Sequence, residues 1–185
     1  MTLRDLLTEG EHALQSAGIE DWKMDAWYLM EEMLHVSRTR YLMEPSKEVS
    51  PEEEMLYKKQ IARRAEHIPL QHLTGEQEFM GLTFKVNEHV LIPRQDTEVL
   101  VEAGLERAEK GAVVADLCTG SGCIATALLV SRPDIALCAG LELFPETLSL
   151  AQENAARNGV GDRFLPICAD LLTDGADRLH AALRG

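Results

Sequence analysis

Apolar positions in the first part of the chain recur at helical spacing. Leu3, Leu6, Leu7, Ala13 and Leu14 share one face, and Ala26, Trp27, Met30, Met33 and Leu34 share another, which predicts two amphipathic helices. A third helix has a strong start signal. Ser50 is placed to cap it, Pro51 suits its first turn and Glu53 completes a capping box. It should run to about Glu66 and stop before Pro69. Trp22, Trp27 and the methionines read as packing residues. From Gly75 to Ile92 the apolar period shortens to two: Phe79, Leu82, Phe84, Val86, Val90 and Ile92, with Gly81 among them, predict a hairpin. A helix opens near Asp96 and carries Val99, Leu100, Ala103 and Leu105. A regular alternation follows: strand 112–117, helix 122–131, strand 135–142, helix 145–158, strand 164–169 and a last helix over 175–183. That order implies parallel strands joined by right-handed crossovers. The fold class is therefore α/β, with a helical domain over 1–74, a β-hairpin linker over 75–95 and a parallel-sheet region from 96 to 185.

Composition narrows the partners. At 185 residues the chain can form one full domain or two small ones. Its formal net charge is −13 and its basic residues form no dense run, which disfavours direct gripping of nucleic acid. There is no apolar run approaching about 20 residues, and the amino terminus lacks a signal-peptide pattern, so no membrane is needed and a cytoplasmic location is expected. Cys118, Cys123, Cys138 and Cys168 lack paired metal-ligand spacing. They read as small buried side chains, with no metal site.

The chemistry concentrates where strands end. Val113-Val114-Ala115-Asp116-Leu117 runs into Cys118-Thr119-Gly120-Ser121-Gly122, a strand giving way to a tight loop and then a helix. The amide groups at that helix start would face an anionic part of a ligand. Two ligand classes fit. Gly120, Gly122 and Ala125 satisfy a loose dinucleotide fingerprint, and Glu142 lies near the expected spacing for a ribose-binding acid, so NAD fits on spacing. Asp116 would sit beside the pyrophosphate of a dinucleotide, where like charges repel. S-adenosylmethionine has no phosphate and offers an ammonium and a sulfonium to a carboxylate, so Asp116 favours it. Glu142 ends the next strand pattern, where it could accept from ribose hydroxyls. Asp170 ends the third, where it or its neighbours could meet an adenine amino group.

Several stretches resemble the bacterial release factor glutamine methyltransferases, the HemK family. These are Pro69-Leu70-Gln71-His72-Leu73-Thr74-Gly75 running into Glu78-Phe79-Met80-Gly81-Leu82; Leu91-Ile92-Pro93-Arg94-Gln95-Asp96-Thr97-Glu98; Asp116 to Gly122; and Asn154-Ala155-Ala156-Arg157-Asn158-Gly159. The resemblance covers essentially the whole chain. It implies a Rossmann-like class I methyltransferase sheet and methyl transfer from S-adenosylmethionine to the glutamine of the Gly-Gly-Gln motif of class-1 peptide chain release factors, the helical domain serving substrate recognition. By position, Cys118, Thr119, Gly120, Ser121 and Gly122 would line the methionine end, Glu142 would hold the ribose, and Asp170 with Leu171 would border the adenine. Arg94, Thr97 and Glu98 lie in the family element near the pocket. A salt bridge to an acid such as Asp96 is the plain alternative for Arg94. Cys118 stands where many members carry Gly.

In that family an Asn-Pro-Pro-Tyr motif holds the acceptor amide, and this sequence does not contain it. No catalytic residue is therefore assigned. The resemblance implies an incomplete sheet, the N-terminal piece of a longer protein, inactive alone, with one flank of the strand over 112–117 unpaired. A non-catalytic module that binds release factor or S-adenosylmethionine is the second reading, and an NAD-dependent oxidoreductase ranks third because of Asp116.

Overall fold

The computed structural model describes residues 1–184, which divide into a unit over Met1–Thr74 and a second that begins at Gly75. The first unit is built from α1 (Leu3–Ser16), α2 (Trp22–Leu34), α3 (Arg38–Met43), α4 (Pro51–Ala65) and α5 (Leu70–Thr74). The capping box at Ser50 forms as expected: Glu53 N–H donates to Ser50 Oγ at 3.2 Å, and Ser50 N–H donates to Glu53 Oε2 at 2.8 Å. A second box, between Thr2 and Asp5, opens α1. The two short helices α3 and α5 have too few turns to show an apolar stripe, and periodicity missed both. Leu3, Leu6, Leu14, Leu29, Met30 and Tyr57 make the heart of this core.

The second unit starts with the hairpin β1 (Glu76–Phe79) and β2 (Leu82–Lys85), paired from Glu76 with Lys85 to Phe79 with Leu82. The pairing is shorter than the sequence alternation. Val86 and Val90 are buried, but beside Leu150 in a small separate cluster, and the chain there turns rather than running as strand. Phe79 and Phe84 pack edge to face inside the same core as Val101, Leu129, Ala151 and Phe164, so the hairpin is part of this unit's interior. A 3₁₀ turn over Gln95–Thr97 leads into α6 (Glu98–Arg107).

Next come β3 (Val113–Leu117), α7 (Cys123–Ser131), β4 (Leu137–Glu142), α8 (Pro145–Arg157), β5 (Phe164–Cys168) and α9 (Gly175–Arg184). The strands form a parallel sheet in the order β3-β4-β5. Its register sets Leu117 against Leu141 and Glu142 against Cys168, so all three strands end at one edge. Pro166 sits in β5, an outer strand, where a missing N–H is tolerated. Among the described residues β3 pairs only with β4, as expected, and Val113, Ala115 and Leu117, which share one face of that strand, are exposed. Among the described residues no helix is long and apolar enough to cross a membrane.

Candidate functional site

The loop between β3 and α7 is held from several sides. Cys118, Gly120 and Gly122 all adopt left-handed backbone angles, with φ of 62°, 56° and 76°. For Cys118 that conformation is costly, which accounts physically for a position where a residue without a Cβ is at ease. At Gly122 a Cβ would stand 3.0 Å from Ala151 Cβ and 3.2 Å from Ala151 Cα, so α8 and the loop approach more closely than a side chain permits. Thr119 N–H donates to Leu141 O at 2.8 Å, fastening the loop to β4, and Gly122 N–H closes the turn onto Thr119 O at 2.9 Å.

Asp116 faces inward. Its Oδ2 accepts from Thr119 Oγ1 at 2.7 Å and from Ala125 N–H at 3.3 Å, in the first turn of α7. The helix start therefore meets a carboxylate of the protein itself, a difference from the expectation that its amides are kept for a ligand. Burial pushes the Asp116 carboxyl above its ordinary range. The two hydrogen bonds oppose that shift, and the nearby charge of Glu142 adds to it. Oδ1 accepts no bond from the described residues and is not sealed from the surface.

Glu142 is oriented by backbone. Gly120 N–H donates to its Oε2 at 3.1 Å, and the N–H groups of Leu143 and Phe144 donate to its Oε1 at 2.9 and 3.3 Å. Oε2 keeps a lone pair for a further donor. Asp170 organises the turn after β5: Leu172 N–H donates to its Oδ1 at 2.9 Å, and its own N–H donates to Asp174 Oδ1 at 3.0 Å. Between these strand ends lies a cavity of about 310 Å³ lined by Cys118, Leu141, Glu142, Leu143, Ala169, Asp170, Leu171 and Leu172.

The structure thus brings Cys118, Glu142, Asp170 and Leu171 to one cavity, with Asp116, Thr119 and Ser121 buried in the loop beside it. Arg94, Thr97 and Glu98 are not among the residues lining it. Glu98 Oε1 instead accepts from Met80 N–H at 2.8 Å and clamps the hairpin turn. Arg94 makes no ion pair among the described residues, with Asp96 or any other acid.

The cysteine expectation needs correction. Cys123 and Cys138 are buried, but Cys118 and Cys168 are exposed: Cys118 lines the cavity, and Cys168 is the last residue of the outer strand β5. Burial, with the Asp116 charge adding to it, pushes the Cys138 thiol up to about 12. No group of His, Cys, Asp or Glu among the described residues is placed to hold a metal.

Sequence reasoning missed Leu143 and Leu172, whose signal was their position one or two residues beyond a strand-ending acid. Asn154 opens the last of the family-like stretches, and the sequence pattern points to no role for it. That side chain is fully buried, and its Nδ2 donates to Ser121 O at 2.9 Å and to Lys85 O at 3.0 Å, while its Oδ1 accepts from Lys85 N–H at 2.7 Å.

Comparison with known proteins sets this geometry in context. Residues 5–75 match the PrmC N-terminal domain. A release factor glutamine methyltransferase of Deinococcus radiodurans is 40% identical over 168 residues, spanning 89% of this chain and 60% of the relative. One of Geobacter sulfurreducens is 41% identical over 158 residues, 85% of this chain and 55% of the relative. One of Moorella thermoacetica is 41% identical over 174 residues, 93% and 61% respectively. The chain is similar to these enzymes along most of its length and spans roughly three fifths of theirs.

Proposed function

We propose that this chain is the donor-binding portion of a release factor glutamine methyltransferase. It holds S-adenosylmethionine across the carboxyl ends of β3, β4 and β5. The observation that carries the reading is the cavity itself, where residues from all three strand ends, Cys118, Glu142 and Asp170, converge around about 310 Å³. Open parallel sheets bind ligands at this edge.

The residues present fit such a donor. The loop over Cys118–Gly122 takes the methionine end, and Asp116 Oδ1, an acceptor in the buried loop beside the cavity, is the group left to meet the ammonium. Glu142 Oε2 accepts from a ribose hydroxyl, and its three backbone donors hold the carboxylate in place for that task. Asp170 and Leu171, with Leu143 and Leu172, border the adenine. We assign no donor contact to Arg94, Thr97 or Glu98. When bound, S-adenosylmethionine supplies an activated methyl group; the chain's own part is to bind and orient it and to limit water around it.

The acceptor is the Gly-Gly-Gln glutamine of class-1 peptide chain release factors, and the helical unit over residues 1–74 serves its recognition. Such a substrate implies work in the cytoplasm and needs no direct nucleic-acid contact, in keeping with a net charge of −13. Equilibrium dialysis against S-adenosylmethionine and against NADH tests the donor assignment: retention of the first alone is expected, and retention of NADH alone would overturn it. Transfer of labelled methyl to a release factor, measured on the same preparation, then separates an enzyme from a module that binds without turnover.

A further inference from the structure

We propose that Asn154 is a positioning residue that joins the β1–β2 hairpin to the donor loop, so that hairpin order and donor affinity change together. The proposal rests on the donor reading above and adds a coupling to it. Asn154 stands on α8, one turn beyond the Ala151 contact that seats Gly122, and its side chain is wholly enclosed. Its planar carboxamide meets both the N–H and the carbonyl of Lys85, as a neighbouring strand would, at 2.7 and 3.0 Å. The second amide hydrogen goes to Ser121 O at 2.9 Å, between the two glycines that shape the loop. One group therefore fixes β2 and the loop at the same time.

Other contacts between α8 and the hairpin do less. Lys85 pairs with Glu153, Arg157 with Glu76 at 2.6 Å, and Asn158 Nδ2 donates to Thr83 O at 3.2 Å, but these lie on exposed surface where water and salt screen them. None of them reaches the loop. Removing the Asn154 carboxamide leaves the Ser121 carbonyl unpaired in a buried place and the Lys85 N–H and carbonyl unpaired in a half-buried one, which is costly and frees both segments. A ligand that orders the loop must then also tighten the hairpin, and a loosened hairpin must weaken the ligand, since coupling is reciprocal.

The test compares the unaltered chain with Asn154→Ala and with Asn158→Ala, using S-adenosylhomocysteine as the probe. Calorimetry reads affinity, and amide NMR spectra read the Lys85 and Val86 signals. In the unaltered chain the probe is expected to shift those hairpin signals. Asn154→Ala should weaken binding about tenfold and abolish the shift, whereas Asn158→Ala should leave both unchanged. Should Asn154→Ala melt too low for assay, Asn154→Ser keeps a polar group in the space and is expected to show a smaller loss in the same direction. A lowered melting temperature with unaltered affinity and an intact hairpin response would make Asn154 merely structural and overturn the proposal. No binding by the unaltered chain would instead overturn the donor reading, and the coupling with it.

Discussion

The two units handle buried polar groups in opposite ways. In the helical unit Asp25 is buried and ends in one ion pair, its Oδ2 accepting from Arg64 Nε at 2.7 Å. Its cavity, about 190 Å³ between α1 and α4, is walled mainly by apolar groups such as Leu6, Ala13 and Ile61. The α/β unit buries Asp116, Thr119, Ser121, Thr126, Thr147 and Asn154, and its cavity is edged by Glu142 and Asp170. Polar burial is expensive, so it is concentrated where it shapes something. Here Asp116, Thr119, Ser121 and Asn154 all converge on one loop. In the helical unit the buried Asp25 closes an ion pair, and in the α/β unit four of the six buried polar side chains order the loop proposed to cradle the donor.

Substitutions should separate the two. The largest expected effect is in the helical core. Tyr57 is fully buried and donates to Ala26 O at 3.1 Å, so Tyr57→Ala should cost about 3–5 kcal/mol by chemical denaturation. S-adenosylhomocysteine affinity of the folded fraction should hold; a collapse in affinity would break the division. Next is Gly122→Ala, which combines φ of 76° with contacts of 3.0–3.2 Å to Ala151. It should cost about 2–3 kcal/mol and remove measurable donor binding.

Asp116→Asn should run the other way. The carboxyl group is raised by burial, so its contribution favours the folded state at low pH and is lost as pH climbs through the raised value. The variant keeps an oxygen for Thr119 and Ala125 but no charge. It should gain about 1 kcal/mol at neutral pH, with the gain shrinking toward about pH 4, while donor affinity falls at least about tenfold. A variant that is less stable at neutral pH would show that the charge supports the fold. The smallest effect is expected for Cys118→Gly. Relief of a left-handed cysteine is partly offset by glycine's greater freedom when unfolded, leaving a gain of about 0.5 kcal/mol that a thermal melt can resolve.

Much of this architecture was legible in the sequence because local patterns agreed with the global fold. The strand-ending acids Asp116, Glu142 and Asp170 could be placed from apolar runs alone, and the parallel order followed from alternation. What escaped was decided by tertiary neighbours. Asp116 turned inward because the loop folds back and brings Thr119 and Ala125 to it, a geometry no spacing announces. Glu98 went to the hairpin turn for the same kind of reason. Asn154 is a polar residue on a helix face that would ordinarily read as solvated; only the three carbonyl and amide groups packed around it make burial possible. The alternation through Val90 misled because those valines bury against Leu150 without any strand pairing.

Hydrogen exchange across the whole chain, with and without saturating S-adenosylhomocysteine, tests the division of labour most directly. Protection should rise at Cys118–Gly122, at Glu142–Phe144 and at Asp170–Leu172, and should stay unchanged within residues 3–65. Unaltered exchange at the three strand ends, or protection confined to the helical unit, would contradict the account.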